Sequence, residues 1–405
     1  MVKSNATGVA LAGGGPLGAI YELGALVALD EALSGLDLAD CDLYVGVSSG
    51  SFITAGLANG MTPQAMYRMF IATEAADDPF EPDLLMRPAL AEYGRRLTAL
   101  PELFLSAARS YLEAPLSHGF FESFQRLARA IPVGLFDNSG IGAYLAELFA
   151  VPGRTNDFRE LRHKLFIVAT DLDTGAAVPF GAPGWDDVPI AEAVKASAAL
   201  PGLFPPVEIG GRHYVDGALT KTLHASVALK EGAKLMICVN PLVPFDADLA
   251  ALQDSGEPGL LVEGGLPVLM AQTFRSIIHS RMQVGMGRYQ KEFPDADVVL
   301  FEPSRDDVEM FFTNVFSYAD RERLSEHAYQ RTRAELRRRH DELEPVFARH
   351  GIAIDQGALS DEGRSLAQSA GGKGRQGRGL LRAAKRLDDT LDRLEGLLHA
   401  SRQPA

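Results

Sequence analysis

From Leu43 to Tyr67 the chain carries no charged side chain, and inside that run lies Gly46-Val47-Ser48-Ser49-Gly50. A charge-free stretch this long has to be buried, either in protein or in lipid. Ser48, Ser49, Ser51, Thr54, Asn59 and Gln64, with Gly46, Gly50, Gly56 and Gly60, make it too polar and too broken for a lipid-facing helix. A buried strand over Leu43 to Val47, then a sharp turn and a helix, accounts for it better. A serine on such a turn takes a strained backbone conformation to point its hydroxyl into a cleft. Small residues two positions to either side let strand and helix close around it. The helix that starts there brings its N–H groups and positive dipole end near Ser48. In a chain with 40 Gly the spacing alone is weak and a bare turn is the default. The strand–turn–helix setting makes Ser48 a candidate nucleophile.

The surrounding pattern repeats this alternation. Val9 to Ala12 is a short apolar run ending at Gly13-Gly14-Gly15-Pro16-Leu17-Gly18, and Ile20 to Leu33 then has helical spacing. Leu165 to Thr170, Leu235 to Val239 and Val298 to Phe301 read as further buried strands, Ile190 to Leu200 as a helix, and Leu266 to Tyr289 and Tyr318 to His350 as long helices. Strands alternating with helices specify an α/β fold with a mostly parallel sheet. Residues 62–135 show no clear strand and are rich in apolar side chains such as Phe80, Leu103, Phe104, Leu105, Phe120, Phe121 and Phe124. They read as a helical insertion, either extra core or a cap over a greasy cleft.

Composition removes several function classes. A net charge of -14 and a sequence pI of 5.2 argue against a general nucleic-acid binder. Two Cys exclude a disulfide scaffold, and Cys41 and Cys238 read as buried thiols in a reducing compartment. The uncharged stretch from Ala6 to Tyr21 superficially resembles a secretory leader, but Gly13 to Pro16 breaks any hydrophobic helix there, so a soluble cytoplasmic protein is expected. No H-x-x-x-H or clustered Cys/His spacing points to a metal.

Two further elements carry chemistry. The consecutive glycines of the first block leave backbone N–H groups uncovered, able to hold a phosphate or the oxyanion of a tetrahedral intermediate. The spacing also fits a dinucleotide fingerprint. Against that, Pro16 removes a donor, and the serine turn occupies the place of the acidic ribose partner. Asp216-Gly217-Ala218 follows Tyr214-Val215, so an Asp at a strand end can reach across to a neighbouring strand; a plain Asp-Gly turn is the alternative. Just upstream runs Lys195-Ala196-Ser197-Ala198-Ala199-Leu200-Pro201-Gly202-Leu203-Phe204-Pro205-Pro206.

These four elements in this order resemble the patatin-like phospholipase family over about residues 8–222. The resemblance implies a three-layer α/β/α sandwich and hydrolysis of lipid acyl esters without a cofactor or metal, as in a phospholipase A or lysophospholipase. It implies a Ser–Asp dyad, with Ser48 as nucleophile and Asp216 as base, and an oxyanion hole from Gly13, Gly14, Gly15 and Gly18. Gly46, Val47, Ser49 and Gly50 complete the nucleophile elbow, and Gly217 and Ala218 the acid block. Leu17 stands where the family often has Lys or Arg. A neutral-glyceride lipase or thioesterase is the nearest alternative, and a non-catalytic lipid-binding scaffold the alternative of another class. A Ser-His-Asp triad is the rival mechanism, with His224, His279, His327, His340, His350 and His399 following the acid in order.

The expected organisation is a catalytic unit over 8–222, strands and helices over 223–350 completing the body, a flexible basic linker over 361–379 and an amphipathic helix over 380–400. From Arg364 to Arg386 there are seven basic residues and no acid. Leu380, Ala384, Leu387, Leu391, Leu394 and Leu398 then form a heptad seam. Docking on the parent domain, self-association and peripheral contact with an anionic membrane through residues 364–400 are the competing readings.

Overall fold

The computed structural model describes residues 6–72, 88–89, 93–94, 132–252, 260–312 and 318–371. Most of the expected 62–135 insertion, including its seven named aromatic and Leu side chains, lies outside the described residues. So do residues 372–379 of the basic linker, the 380–400 helix and His399.

Five parallel strands form the centre of the molecule, in the order β4 (Lys164–Asp171), β3 (Leu43–Val47), β1 (Thr7–Leu11), β8 (Leu235–Val239) and β9 (Asp297–Phe301). On the β4 side, β7 (Arg212–Asp216) and then β6 (Val207–Ile209) add antiparallel, and β5 (Ala177–Phe180) also pairs antiparallel with β4. A separate two-stranded ribbon joins β2 (Leu33–Ser34) to β10 (Ala353–Ile354). β8 and β9 lie beyond residue 222 yet extend the same sheet from β1.

Both faces of the sheet are covered, and the strand period of two sorts the side chains between them. Val9 and Leu11 of β1, Tyr44 of β3 and Ile237 of β8 enter one core with helices α1 (Gly15–Ala32) and α2 (Ser49–Ala58). Ala10, Val45, Val47, Met236 and Cys238 enter the other, against the helix Ala225–Lys230 and Tyr289. The result is a three-layer α/β/α sandwich. Further helices used below are α3 (Ser139–Phe149), α4 (Ile190–Ser197), α5 (Gly265–Glu292) and α6 (Tyr318–Arg338). Cys41 and Cys238 are buried free thiols. Among the described residues no helix is long and apolar enough to cross a membrane.

The structure departs from the sequence reading in three places. The expected helix to Leu200 stops at Ser197, because the chain must turn there to hand Ala199 O to Asp216 N. The expected helix from Tyr318 to His350 breaks at Arg339 into α6 and His340–Ala348. Residues 361–371, assigned to a flexible linker, are packed: Leu366 is fully buried, Ser365 and Gln368 form a capping box, and Arg364 pairs with Glu31 of α1.

Candidate active site

Ser48 sits between β3 and α2 with φ 51° and ψ −124°, and among the described residues it alone, other than glycine, has a positive φ. Its surroundings force that geometry. A Cβ on Gly46 would lie 2.4 Å from Ser51 Cα, and one on Gly50 2.6 Å from the Ala12 carbonyl oxygen, so strand and helix meet closer than any side chain permits. Ser197 at the end of α4 fixes the turn: its Oγ accepts from Ser48 N–H at 2.8 Å and donates to the Val168 carbonyl at 2.6 Å. One hydroxyl thereby ties the elbow to β4.

Sheet register brings the second group in. Val47 pairs with Val168, and the next residue of β4, Ala169, pairs with Asp216 at the end of β7. Ser48 and Asp216 therefore flank β4 at the same level, although 168 positions separate them in sequence. Gly217 allows this, since a Cβ there would lie 2.1 Å from the Val168 carbonyl oxygen. The Asp216 side chain is almost fully buried and accepts from Ala218 N–H at 2.8 Å, with the Ser48 hydroxyl near enough to favour its charged form. Burial pushes its carboxyl up to about 6, and the Ser48 hydroxyl and the Ala218 N–H hold it back from rising further.

The glycine block closes the third side. A Cβ on Gly13 would fall 2.8 Å from Ser48 Cβ, so only glycine lets β1 end beside the nucleophile position. Gly14 is the N-cap of α1 and Gly15, at φ 60°, its first residue; both line the cavity that contains Ser48. N–H groups at this position have no carbonyl partner within the helix. Pro16 costs nothing there, because the N–H it lacks has no partner in a first turn. Gly18 is a correction to the expected donor set: its N–H is spent on the Gly14 carbonyl at 3.0 Å. Its smallness matters instead, since a Cβ would press on Pro241 Cγ at 2.9 Å. Leu17 packs, partly buried, against the core.

The cavity above these groups has a volume of about 470 Å³. Its wall is largely apolar, with Phe52, Phe70 and Ile71 on one side, Phe136 and Ile141 on another, and Phe274 and Ile278 of α5 on a third. Among the described residues only Asp216, Arg275 and Arg321 bring charge to it, and no histidine lines it. His224, the first histidine after the acid block, is buried, and burial lowers it to about 4, so it is neutral near pH 7. His327 is held by Asp307 at 2.7 Å and His350 by Asp297 at 2.8 Å. His340 lies beside Asp341, and His279 is 3.7 Å from Glu302. Sequence reasoning did not assign the clamp by Ser197 or the two arginines; Ser197 stood inside a quoted motif, whereas Arg275 and Arg321 had no local signal.

A model of the patatin-like phospholipase family matches residues 9–229, more than half of the chain, and spans all four elements described above. Among solved structures, VipD from Legionella pneumophila is similar at 16% identity over 82% of this chain and 66% of that one, with a TM-score of 0.37. The type III effector protein ExoU matches at 18% identity over 84% of this chain and 54% of that one, with a TM-score of 0.34. ExoU of Pseudomonas aeruginosa in complex with SpcU gives 18%, 70% and 53%, with a TM-score of 0.27. The chain thus spans between about half and two thirds of the length of these solved structures. On the family match over residues 9–229, the chain belongs to the patatin-like phospholipase family.

Proposed function

We propose that this protein is a serine-dependent lipid acyl hydrolase working through a Ser48–Asp216 dyad, in the manner of a phospholipase A or lysophospholipase. The observation that carries the reading is the strained turn at Ser48, which sets its hydroxyl beside a buried carboxylate in the wall of an apolar cavity. Ser48 Oγ attacks the acyl carbonyl carbon while its proton passes to Asp216. The oxyanion forms against the N–H groups of Gly14 and Gly15, each such donor contributing about 3 kcal/mol to the transition state. Collapse expels the alcohol, which takes the proton from Asp216 and leaves an acyl-Ser48 ester. Water then gives its proton to Asp216 and attacks that ester; the same donors hold the second oxyanion, whose collapse breaks the bond to Ser48 Oγ, releases the fatty acid and returns the proton from Asp216 to Oγ. A carboxylate is an ordinarily weak base toward a serine hydroxyl; desolvation strengthens it. The absence of a histidine from the described cavity wall favours this route over a triad.

The test is a fluorophosphonate probe together with an ester panel. Wild type is expected to label once, at Ser48, and to hydrolyse acyl esters. Ser48→Ala should lose both properties at unchanged melting temperature. A wild-type protein that neither labels nor turns over any ester in the panel would remove the enzymatic reading and leave a lipid-binding scaffold.

A further inference from the structure

Helix α5 turns one face to the protein and leaves another exposed. Arg275 and Ile278 line the cavity, and Met282 and Tyr289, on the same face at helical spacing, are buried. Shifted by one position, Met270, Phe274, Ile277 and Val284 form an outward stripe, each between 40% and 61% exposed. The alternating steps of four and three run on through Arg281, Arg288 and Lys291, which are exposed as well. From Gly264 to Lys291 there are four basic residues and no acid, although the whole chain carries a net charge of -14. At the basic end Lys221 shares a small pocket with Arg281. A helix face turned only to water carries polar and charged residues; an apolar stripe bordered by cations is the pattern of a helix that lies in a membrane interface. The entrance of the cavity continues that stripe. Phe274 and Leu203 both line the cavity and are both exposed, so they stand at its rim from two sides. Beside Leu203, the bridge between Gly134 and Gly202 brings Val133 and Leu135 to the same lip, and these too are exposed.

We propose that the outward stripe of α5, with the Leu203 lip, is the surface by which this protein docks on a bilayer carrying anionic headgroups. Charge complementarity selects that occupant. A second copy would add the same cations to one interface and desolvate them without a counter-charge, whereas an anionic lipid surface attracts them. Met270, Phe274, Ile277 and Val284 then enter the acyl boundary while Arg281, Arg288 and Lys291 meet headgroups. Docked in this way the cavity opens into lipid, and an acyl chain enters past Leu203 and Phe274 without crossing water. The surface goes beyond the hydrolase reading, since a protein that only bound lipid would use it equally.

The test uses the full-length protein and phosphatidylcholine vesicles made with and without phosphatidylserine, and reads the partition coefficient by flotation. Wild type should partition onto the anionic vesicles more than about tenfold better, with the difference shrinking as salt rises. Arg288→Gln combined with Lys291→Gln should cut anionic partitioning about fivefold per charge removed. Ile277→Asp combined with Val284→Asp should lower it about tenfold or more. None of these four residues lines the cavity, so melting temperature and probe labelling at Ser48 should stay as in wild type. Ile277→Trp gives a reading that does not depend on a loss: its emission should shift to the blue on anionic vesicles, against wild type with Trp185 alone. A wild type with no preference for anionic vesicles, or partitioning that neither double variant lowers, overturns the proposal; the second result passes membrane contact to residues 364–400. A wild-type dimer that Ile277→Asp with Val284→Asp turns into a monomer, read by light scattering, overturns it in favour of a second copy. Failure of the hydrolase reading looks different: no protein of the set labels at Ser48, whatever the vesicles show.

Discussion

Asp216 has two demands on it that pull in opposite directions. As a base it must be ionised; as a buried group it resists ionisation, and its carboxyl is pushed up to about 6. For activity, the ionised form is required, so kcat/KM should fall as pH drops through about 6, well above where an exposed Asp would titrate. For stability the sign is reversed. The folded state holds the proton more tightly than the unfolded chain, so this group's contribution is fully present below the ordinary carboxylate range and is lost as pH rises through about 6. Asp216→Asn should therefore cost about 10²- to 10⁴-fold in kcat while leaving the protein at least as stable as wild type at pH 8. A pH–rate profile and a thermal melt at two pH values test both halves. A wild-type acidic limb near pH 4, or an Asn variant with most of its activity, would remove Asp216 as the base. At this scale the sequence was readable where chemistry needs a fixed spacing: Ser48, Gly46 and Gly50 share one turn, and Asp216 has its glycine beside it. It was misleading at Gly18, whose donor is consumed by the helix, and silent at Arg275, because nothing local marks a residue that joins the cavity of Ser48 only through the placement of α5.

Between elements, the decisive joint is the end of α4. Ser197 accepts the Ser48 N–H and donates to Val168, so the elbow of β3, the strand β4 and the helix that leads to the acid block share one hydroxyl. Ser197→Ala would leave the Ser48 N–H buried without an acceptor, a cost of about 1–3 kcal/mol. The loss should appear in kcat more than in KM, because the hydroxyl is set by this backbone and the acyl chain is bound elsewhere. Denaturant unfolding beside steady-state kinetics checks it; an Ala variant with wild-type stability and kcat would mean the elbow holds itself. Elements were legible in proportion to their burial. β1, β3, β8 and the core of β4 are continuous apolar runs, and each was placed within a residue or two. β5 and β6 alternate with exposed positions over three or four residues, too short for a period to declare itself. The break of the long helix at Arg339 has no glycine or proline to announce it; Arg339 instead donates to the Leu300 carbonyl at the end of β9, a tertiary contact.

The whole molecule is closed by its described C-terminal segment. Arg333 of α6 is 1% exposed and donates to the carbonyls of Ala358 at 2.9 Å, Leu359 at 3.3 Å and Asp361 at 2.6 Å, and to the Tyr329 hydroxyl at 2.7 Å. Around it, Tyr329 and Arg364 both reach Glu31 of α1, Ser369 does so at 2.9 Å, and Arg68 holds the Ala370 carbonyl. These bonds bind residues 355–371 to α1 and α6. Those are the two helices that carry the glycine block and Arg321, so the closure also fixes one side of the cavity. Arg333→Met fills similar volume but takes the charged donor from the Ala358 carbonyl and leaves the Leu359 and Asp361 carbonyls with one donor each, Arg337 and the Arg364 N–H. The expected cost is about 1–3 kcal/mol, the scale for removing a charged donor from buried acceptors. Arg331→Met is the control: its guanidinium is 53% exposed and only 4.0 Å from Asp307, so it should move the midpoint by well under about 1 kcal/mol. A lowered denaturant midpoint in the first variant and none in the second is the expected pattern. Limited proteolysis should then cut the Arg333→Met protein first between Gln356 and Gly371. If the two variants unfold alike, the C-terminal clasp contributes packing through Leu366 and Leu359 and the polar network adds nothing to it.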